Sequence, residues 1–214
     1  VVKGRLDGRF HPDDPITRAE FAVIMDRLFD YEEQSAQQFA DVAPDAWYAE
    51  AIAKCVAAGV LQGGSKGMRP NDHTSRQEAV TILARAFGMS GASSGTEKFT
   101  DASEIGAWAL PQANAMTAAG YVRGSHGRFL PNRDITRAEL LTILNNMVRT
   151  YITASGSYTV KGGDFVIVTA RDVTITKDGF TGTILKGGHG DYKEAGKPSS
   201  GGSSGGSSSG NTYH

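Results

Sequence analysis

The stretch that decides the fold is Ile16-Thr17-Arg18-Ala19-Glu20, because the chain repeats it twice more. The other copies are Thr74-Ser75-Arg76-Gln77-Glu78 and Ile135-Thr136-Arg137-Ala138-Glu139. In each copy a Ser or Thr is followed three residues later by Glu, and then by an apolar run. This is the sequence form of a capping box, whose hydroxyl and carboxylate satisfy backbone N–H groups at a helix start. We therefore predict three capped helices, with the capping pairs Thr17 and Glu20, Ser75 and Glu78, and Thr136 and Glu139.

The arginine between the two cap residues is a separate feature of the three copies. Capping gives no reason for Arg18, Arg76 and Arg137, yet all three copies have an arginine at this place. A guanidinium group is a planar fork of N–H donors that matches a carboxylate. We therefore expect each arginine to have an acidic partner.

The similarity between the copies extends on both sides of these five residues. Upstream, an apolar residue precedes Pro at the same distance in each copy, at Phe10-His11-Pro12, Met68-Arg69-Pro70 and Phe129-Leu130-Pro131. Downstream, apolar residues recur at helical spacing, as in Phe21, Ile24, Met25 and Leu28. Each set forms one stripe that faces a core. The chain is therefore organised as tandem repeats.

Two of the repeats also have a first half, which contains a tryptophan. Phe39-Ala40-Asp41-Val42 leads to Trp47, and Phe99-Thr100-Asp101-Ala102 leads to Trp108. A helix, a Gly-rich loop and the capped second helix complete each repeat. The first repeat has only the loop and the second helix, so we expect that something upstream is missing. The predicted units are a partial repeat over residues 1–30 and full repeats over 39–88 and 99–149.

The pattern Phe-x-Asp-Val, Trp, Ala-Ile, Gly-Val, Gly, Phe-x-Pro and Ile-Thr-Arg-Ala-Glu resembles the S-layer homology (SLH) family over residues 1 to about 149. The resemblance implies a pseudo-threefold helical spindle at a bacterial cell surface. It also implies grooves between repeats that bind an anionic secondary cell-wall polysaccharide, often with a pyruvate ketal. In that family the arginine of the repeated stretch binds the carboxylate, which would lie outside the chain.

Seven residues are the candidate ligand-binding residues: Arg18, Arg76, Arg137, Trp47, Trp108, Asp41 and Asp101. Each tryptophan either stacks on a sugar face or packs in the core, and the sequence leaves both alternatives open. The two aspartates are groove residues by family analogy, whereas turn and cap roles are the alternative that we favour. Arg76 is the first place to expect the ligand, because its own repeat is complete.

The composition changes after Arg149 to a segment rich in Thr, Val, Ile and Gly. Residues 150–195 are predicted to form short strands at Ser157–Val160, Asp164–Thr169, Val173–Thr176 and Thr181–Leu185, with a turn at Lys177-Asp178-Gly179. Such a small sheet has exposed edges, so we expect it to dock on the helical part or to pair with another molecule. Residues 196–214 are predicted to be a flexible Gly/Ser-rich linker. The predicted fold class is mainly α, a helical spindle followed by this β segment.

The composition excludes several classes of function. Lys plus Arg total 22 against 23 Asp plus Glu, which gives no reason to expect nucleic acid or an anionic membrane as the partner. Cys55 is the only cysteine, so the chain has no intrachain disulfide. No apolar run is long enough for a transmembrane segment, and no metal-binding or catalytic motif is present. We predict that the protein has no cofactor and is not an enzyme.

Three functions agree with these patterns. The first is an extracellular anchoring module that binds a cell-wall polysaccharide. The second is a self-assembling surface-layer or filament subunit, in which a neighbouring copy or an upstream fragment supplies the missing helix and pairs with the β segment. The third is the tail of a surface enzyme whose catalytic domain lies outside this chain.

Overall fold

The computed structural model describes residue 4 and residues 7–196, so the predicted linker lies almost wholly outside the described residues. The described part has five α-helices and six β-strands, and the prediction of a mainly α fold is therefore wrong. The fold is mixed α/β because the segment after the third repeat forms two sheets. The helices are α1 (Arg18–Phe29), α2 (Ala49–Ala57), α3 (Arg76–Ala86), α4 (Leu110–Ala118) and α5 (Arg137–Met147). The strands are β1 (Val148–Ile152), β2 (Gly156–Lys161), β3 (Phe165–Val168), β4 (Val173–Asp178), β5 (Thr183–Lys186) and β6 (Tyr192–Glu194).

The three copies of the repeated stretch meet in a closed ring of backbone hydrogen bonds. The N–H of Thr74 donates to the carbonyl of Ile16 at 2.9 Å, that of Ile135 donates to Thr74 at 3.0 Å, and that of Ile16 donates to Ile135 at 3.1 Å. All three residues have no exposed surface. The ring relates the three repeats by an approximate threefold symmetry. It also fixes the starts of α1, α3 and α5, each of which carries a capping box.

The helices that precede the Gly-rich loops pack on the capped helix of the preceding repeat. Helix α2 contacts α1, and α4 contacts α3. Buried side chains from all three repeats form one continuous core, which includes Phe21, Met25, Leu83, Met116 and Leu140. Helix α5 contacts β1, the strand that directly follows it.

The β segment is a short parallel coil with two sheets. The strands alternate between an inner sheet of order β1-β3-β5 and an outer sheet of order β2-β4-β6, and all pairs are parallel. Ile152 pairs with Val168, and Val168 pairs with Lys186, so each turn of the coil stacks on the one before it. Strands β1 and β6 were not predicted. The predicted turn at residues 177–179 is wrong for its first two residues, because β4 continues to Asp178.

The inner sheet docks on the helices of the same chain. All four residues of β3 are buried. Phe165 and Ile167 belong to the helical core, whereas Val166 and Val168 belong to the interior of the coil. The ring of Phe165 lies 5.0 Å from that of Phe87 at the end of α3. Of the two expected arrangements for the β segment, docking on the helical part is therefore the one observed.

Candidate functional site

Arg18 is buried and has partners inside the chain. Its side chain is 5% exposed, its Nε donates to the carbonyl of Met68 at 2.8 Å, and its Nη2 donates to that of Gln62 at 3.2 Å. Its Nη1 lies 3.5 Å from Oε1 of Glu78, the capping glutamate of the next repeat. Arg18 therefore has an acidic partner within the protein, and the carboxylate outside the chain that the family resemblance implies stays a prediction.

The same contact recurs in cyclic order around the three repeats. Nη1 of Arg76 lies 3.7 Å from Oε1 of Glu139, and Nη1 of Arg137 lies 3.9 Å from Oε1 of Glu20. Both arginines are as buried as Arg18. Each arginine thus joins its own repeat to the next one, and each glutamate caps its helix and also accepts this contact.

The backbone N–H groups at the helix starts are also satisfied within the chain. In α1, the N–H of Arg18 donates to the carbonyl of Asp72 at 3.0 Å, and the N–H of Ala19 donates to that of Pro70 at 2.9 Å. Equivalent bonds join α3 to residues 131 and 133, and α5 to residues 12 and 14. An anion at these helix starts would have to displace a carbonyl. Side chains must therefore supply any anion-binding capacity of this region.

A groove of about 600 Å³, here called groove 1, opens beside Arg18. All three repeats contribute to it: the first gives Arg18, the second gives its loop and one face of α3, and the third gives Trp108. The residues that line it are Arg18, Leu61, Gln62, Gly63, Gly64, Ser65, Lys66, Arg69, Glu78, Thr81, Ile82, Arg85 and Trp108. Its volume falls within the range of about 300–1,000 Å³ that is typical of ligand pockets.

Groove 1 is strongly positive. Four cations and one carboxylate line it. Two of the cations contact that carboxylate, because Nη2 of Arg69 lies 2.6 Å from Oε1 of Glu78, beside Nη1 of Arg18. Burial raises the pKa of Glu78, but hydrogen bonds from Ser75 and Arg69 outweigh it and hold that pKa below its ordinary value. The side chains of Lys66 and Arg85 make no hydrogen bond or ion pair with the described residues.

A second groove of about 200 Å³, here called groove 2, occupies the equivalent place beside Arg76. The residues that line it are Arg76, Tyr121, Arg123, Gly124, Ser125, Leu130, Arg133, Glu139, Thr142, Ile143 and Asn146. Glu139 contacts both Arg76 and Arg133. Asn146 lies where groove 1 has Arg85, and no tryptophan is among these lining residues. Arg76 was the first place to expect a ligand, whereas the larger groove lies beside Arg18.

The two tryptophans are exposed and do not pack in the core. Trp47 is 68% exposed and Trp108 is 54% exposed. Of the two, only Trp108 lines one of the two grooves, namely groove 1. Trp47 contacts Tyr48 edge-to-face, with ring centroids 5.3 Å apart. The core alternative for these side chains therefore does not apply.

Asp41 and Asp101 hold the Gly-rich loop of their own repeat. The carboxylate of Asp41 accepts the N–H groups of Met68 and Arg69 at 3.0 and 2.6 Å. The carboxylate of Asp101 likewise accepts those of Phe129 and Leu130 at 2.6 and 2.8 Å. Burial raises the pKa of each aspartate, but the two backbone hydrogen bonds lower it by more. The pKa of both carboxyl groups is therefore below its ordinary value, and both stay ionised.

These hydrogen bonds reach 27 to 29 residues along the chain, so they differ from the local turn and cap contacts that we favoured for the two aspartates. Neither residue lines groove 1 or groove 2.

Three cations of groove 1 were not predicted from the sequence: Lys66, Arg69 and Arg85. A signal for Arg85 was present, since Glu78, Thr81, Ile82 and Arg85 follow the i, i+3, i+4, i+7 spacing of one helix face. Among the described residues, no group of His, Cys, Asp and Glu side chains could hold a metal ion. In the same part of the chain, the helices are too short or too polar to span a membrane.

Fold and grooves together define the class of the protein, a domain of three tandem helical repeats closed into a ring by their repeated stretches. A family model described as "S-layer homology domain" matches residues 1–22, 38–80 and 98–141. The chain belongs to this family. SLH domains are cell-wall anchoring modules, and the family places the protein at the cell surface.

Similar proteins include surface proteins and enzymes. The chain is 32% identical over 190 residues to the surface-layer 125 kDa protein of Lysinibacillus sphaericus, which covers 86% of this chain and 16% of that protein. It is 32% identical to the amylopullulanase of Thermoanaerobacterium thermosulfurigenes, over 69% of this chain and 8% of the enzyme. The S-layer protein sap of Bacillus anthracis is 30% identical over 65% of this chain and 17% of its own length. The chain thus spans less than a fifth of each of these relatives.

Proposed function

We propose that the chain is a non-catalytic module that anchors a surface protein by binding an anionic cell-wall polysaccharide in groove 1. The observation that supports this most is the combination of four cations, one carboxylate and an exposed tryptophan in a groove of about 600 Å³. Arg18 and Arg69 are paired with Glu78 and Asp72, so a neutral or cationic ligand would leave the charges of Lys66 and Arg85 uncompensated. An acidic sugar compensates them and offers an apolar ring face to Trp108.

The buried arginine and the exposed cations have different roles in this proposal. Arg18 is held by two carbonyls and by Glu78, so it forms a fixed part of the groove wall. Lys66 is exposed and Arg85 is half-buried, and both are free to turn towards a ligand. Because they are not neutralised by Glu78, they contribute most of the attraction for an anion. Arg76 has the corresponding role in groove 2, while ligand contacts of Arg137, Trp47, Asp41 and Asp101 stay predictions.

The test is binding to purified cell-wall sacculi before and after the polysaccharide is chemically stripped. We expect the wild-type chain to sediment with intact sacculi and not with stripped ones. The double variant Lys66→Glu and Arg85→Glu should lose binding, because it reverses both free charges in groove 1. The matched control, Lys98→Glu and Lys193→Glu, makes the same change in net charge outside both grooves and should bind normally. Binding that survives both stripping and the groove variant would contradict the proposal.

A second function, a subunit of a surface layer, is favoured by the name of the Lysinibacillus relative. The β segment gives this function only weak support, because its inner sheet is already covered by the helices of the same chain. Sedimentation velocity over a concentration series tests this function. Growth of the sedimentation coefficient with concentration is expected of a self-assembling subunit, and a constant monomer value would exclude it.

A further inference from the structure

The segments that join the repeats, residues 30–38 and 88–98, are here called connectors, and they are held in different ways. In connector 88–98, the N–H and the hydroxyl of Thr96 donate to the side chain of Asn114 on α4, at 3.1 and 2.7 Å. The amide of Asn114 in turn donates to the carbonyl of Ala92 at 3.1 Å. Gly95 lies so close to α4 that a Cβ atom on it would be 2.3 Å from the carbonyl oxygen of Asn114. This connector is therefore closed down on its helix.

Connector 30–38 lacks this side-chain contact. Ala53 on α2 stands where α4 has Asn114, since each lies six residues after the tryptophan of its repeat. A methyl group makes no hydrogen bond, and the connector is joined to α2 by a backbone bond from the N–H of Ser35 to the carbonyl of Ala53, at 3.0 Å. Phe39 at the end of this connector is half-buried, whereas the equivalent Phe99 is 6% exposed. Part of α2 is therefore left uncovered.

A cavity of about 610 Å³, here called the connector pocket, lies between connector 30–38 and α2. Phe39 lines this pocket and packs on Gly63, a residue of groove 1. The pocket shares no lining residue with groove 1 or groove 2, so it is a neighbouring but separate site. The residues that line it are Gln34, Ser35, Gln37, Gln38, Phe39, Ala40, Val42, Ala43, Pro44, Ala49, Glu50, Ile52 and Ala53.

The lining of the connector pocket combines apolar surface with free amide groups. Phe39 and Ile52 belong to its apolar part. The side chains of Gln34, Gln37 and Gln38 are exposed and make no hydrogen bond with the described residues. Each of these amides offers both donors and an acceptor. Apolar surface with a few such groups is the usual composition of a small-molecule site.

The connector pocket also differs from groove 1 in charge. No Lys or Arg of the described residues lines it, and its one charged lining residue, Glu50, pairs with Lys54 at 2.9 Å. Asp30, Glu32 and Glu33 add negative charge to the connector. An anionic group would be repelled here, so the pocket favours an uncharged ligand.

We propose that the connector pocket is a second carbohydrate site, which binds an uncharged N-acetylated amino sugar. An acetamido group has one N–H donor and one carbonyl acceptor, which match the free glutamine amides, and its methyl group covers the apolar surface of Phe39 and Ile52. SLH domains are cell-wall anchoring modules, and bacterial cell walls are built from such sugars. The source is either the glycan strands of the wall or N-acetylated units of its polysaccharide. The inference goes beyond the proposed function, because it concerns a site outside groove 1.

The probe is chitotriose, a chain of N-acetylglucosamine units, and the control is cellotriose, the corresponding chain without acetamido groups. Each is titrated into the whole chain, and the NMR shifts of the backbone amides are followed. We expect chitotriose to bind about fivefold more tightly than cellotriose, as one additional hydrogen bond would give. The shifts should be largest within residues 34–53. Equal affinities for the two sugars, no binding of either, or equally tight binding of an acetyl-capped alanine tripeptide would overturn the inference.

Two variants test the assignment of the pocket. Ala53→Asn gives α2 the residue that closes the other connector, and it should weaken chitotriose binding by about fivefold or more. Ala57→Asn, at an exposed position of the same helix, is the matched control and should bind normally. The double variant Gln37→Ala and Gln38→Ala removes two exposed amides and should also weaken binding, which keeps the test valid if Ala53→Asn does not fold. Circular dichroism checks folding. Wild-type affinity in the folded variants would overturn the assignment.

Competition identifies the source of the sugar. Soluble fragments of stripped sacculi, or the released polysaccharide, should displace chitotriose, and displacement by neither would overturn the inference. The groove 1 variant, Lys66→Glu and Arg85→Glu, should bind chitotriose normally, because it leaves the connector pocket intact. Loss of chitotriose binding in that variant would contradict a separate site. Chitotriose that does not bind a chain which still sediments with intact sacculi contradicts this inference and leaves the anchoring proposal standing.

Discussion

Groove 1 and groove 2 are built on the same repeated stretch, yet their volumes are about 600 and about 200 Å³. In each, a buried arginine donates to a loop carbonyl and contacts the capping glutamate of the next repeat. The main charged and aromatic differences lie outside the stretch: Lys66, Arg85 and Trp108 belong to groove 1 only, and Arg123 of groove 2 stands where groove 1 has Gln62. The comparison indicates that the repeated stretch forms the contact between neighbouring repeats, here called the joint, and that the variable residues around it set the size and charge of each groove.

The largest effect that we expect concerns the joint and not the ligand. Arg18→Met should destabilise the protein by about 3 kcal/mol, because it removes one of the two guanidinium partners of Glu78 and leaves two carbonyls without their donor. Arg76→Met should cost about 1 kcal/mol less, since Arg76 bonds one carbonyl and its Nε is buried without a partner. Urea denaturation followed by circular dichroism measures both values.

The control for the joint is Arg85, a half-buried cation in the same region. Arg85→Met removes a charge from the wall of groove 1 without touching the joint, so its effect on unfolding should stay within about 0.5 kcal/mol. If Arg18→Met is no more destabilising than this control, the arginines do not hold the repeats together.

The next effect sharpens the difference in aromatic residues between the grooves. Trp108→Ala should weaken binding to intact sacculi by about tenfold, or roughly 1.4 kcal/mol, with stability nearly unchanged because the side chain is half exposed. Trp47→Ala is the matched control, since Trp47 is as exposed but lies outside both grooves. Equal losses in the two variants, measured by sedimentation with sacculi, would show that the position of Trp108 in groove 1 does not determine its effect on binding.

Acid should weaken the joints of both grooves. Burial raises the pKa of Glu78 and Glu139, but hydrogen bonds from Ser75 and Arg69, and from Thr136 and Arg133, lower both below the ordinary value of 4.5. As pH falls below 4.5, the unfolded chain therefore binds protons before the native chain does. The stability that these two ionised glutamates contribute is present above pH 4.5 and is lost as pH falls through their native pKa values. The melting temperature should fall in this window, and less steeply in Glu78→Gln or Glu139→Gln. An unchanged slope in both variants would contradict the assignment.

The sequence was most informative where the signal is local. The capping box involves residues three apart, and α1, α3 and α5 begin directly after the Thr or Ser of each repeated stretch. Parallel pairing in the β segment joins residues such as Ile152 and Val168, which no local pattern relates. The sequence did contain one indication of parallel pairing, because the unbroken apolar run Phe165–Val168 is typical of a strand buried on both faces.

The internal partners of the arginines could be predicted only in part. Each copy contains both an Arg and a Glu, and in a closed ring of three copies these are natural partners. The carbonyl of Met68, however, is 50 residues from Arg18 and is brought to it by the threefold packing. The tryptophan of groove 1 comes from the third repeat, which sequence alone does not place beside the first.

The smallest effect would convert one groove towards the other. Asn146→Arg places in groove 2 the cation that Arg85 supplies to groove 1, and Asn146 is half-buried, so a longer side chain can extend into the open part of the groove. We expect intact sacculi to bind the variant two- to threefold more tightly than they bind the same chain with only Arg85→Asn, as one partly exposed ion pair contributes up to about 1 kcal/mol. Both measurements use the Arg85→Asn background, so that groove 1 does not mask the gain. Asn146→Gln in that background is the neutral control. If Arg gains nothing over Gln, volume limits groove 2 more than charge does, because a groove of about 200 Å³ is below the size of most ligand pockets.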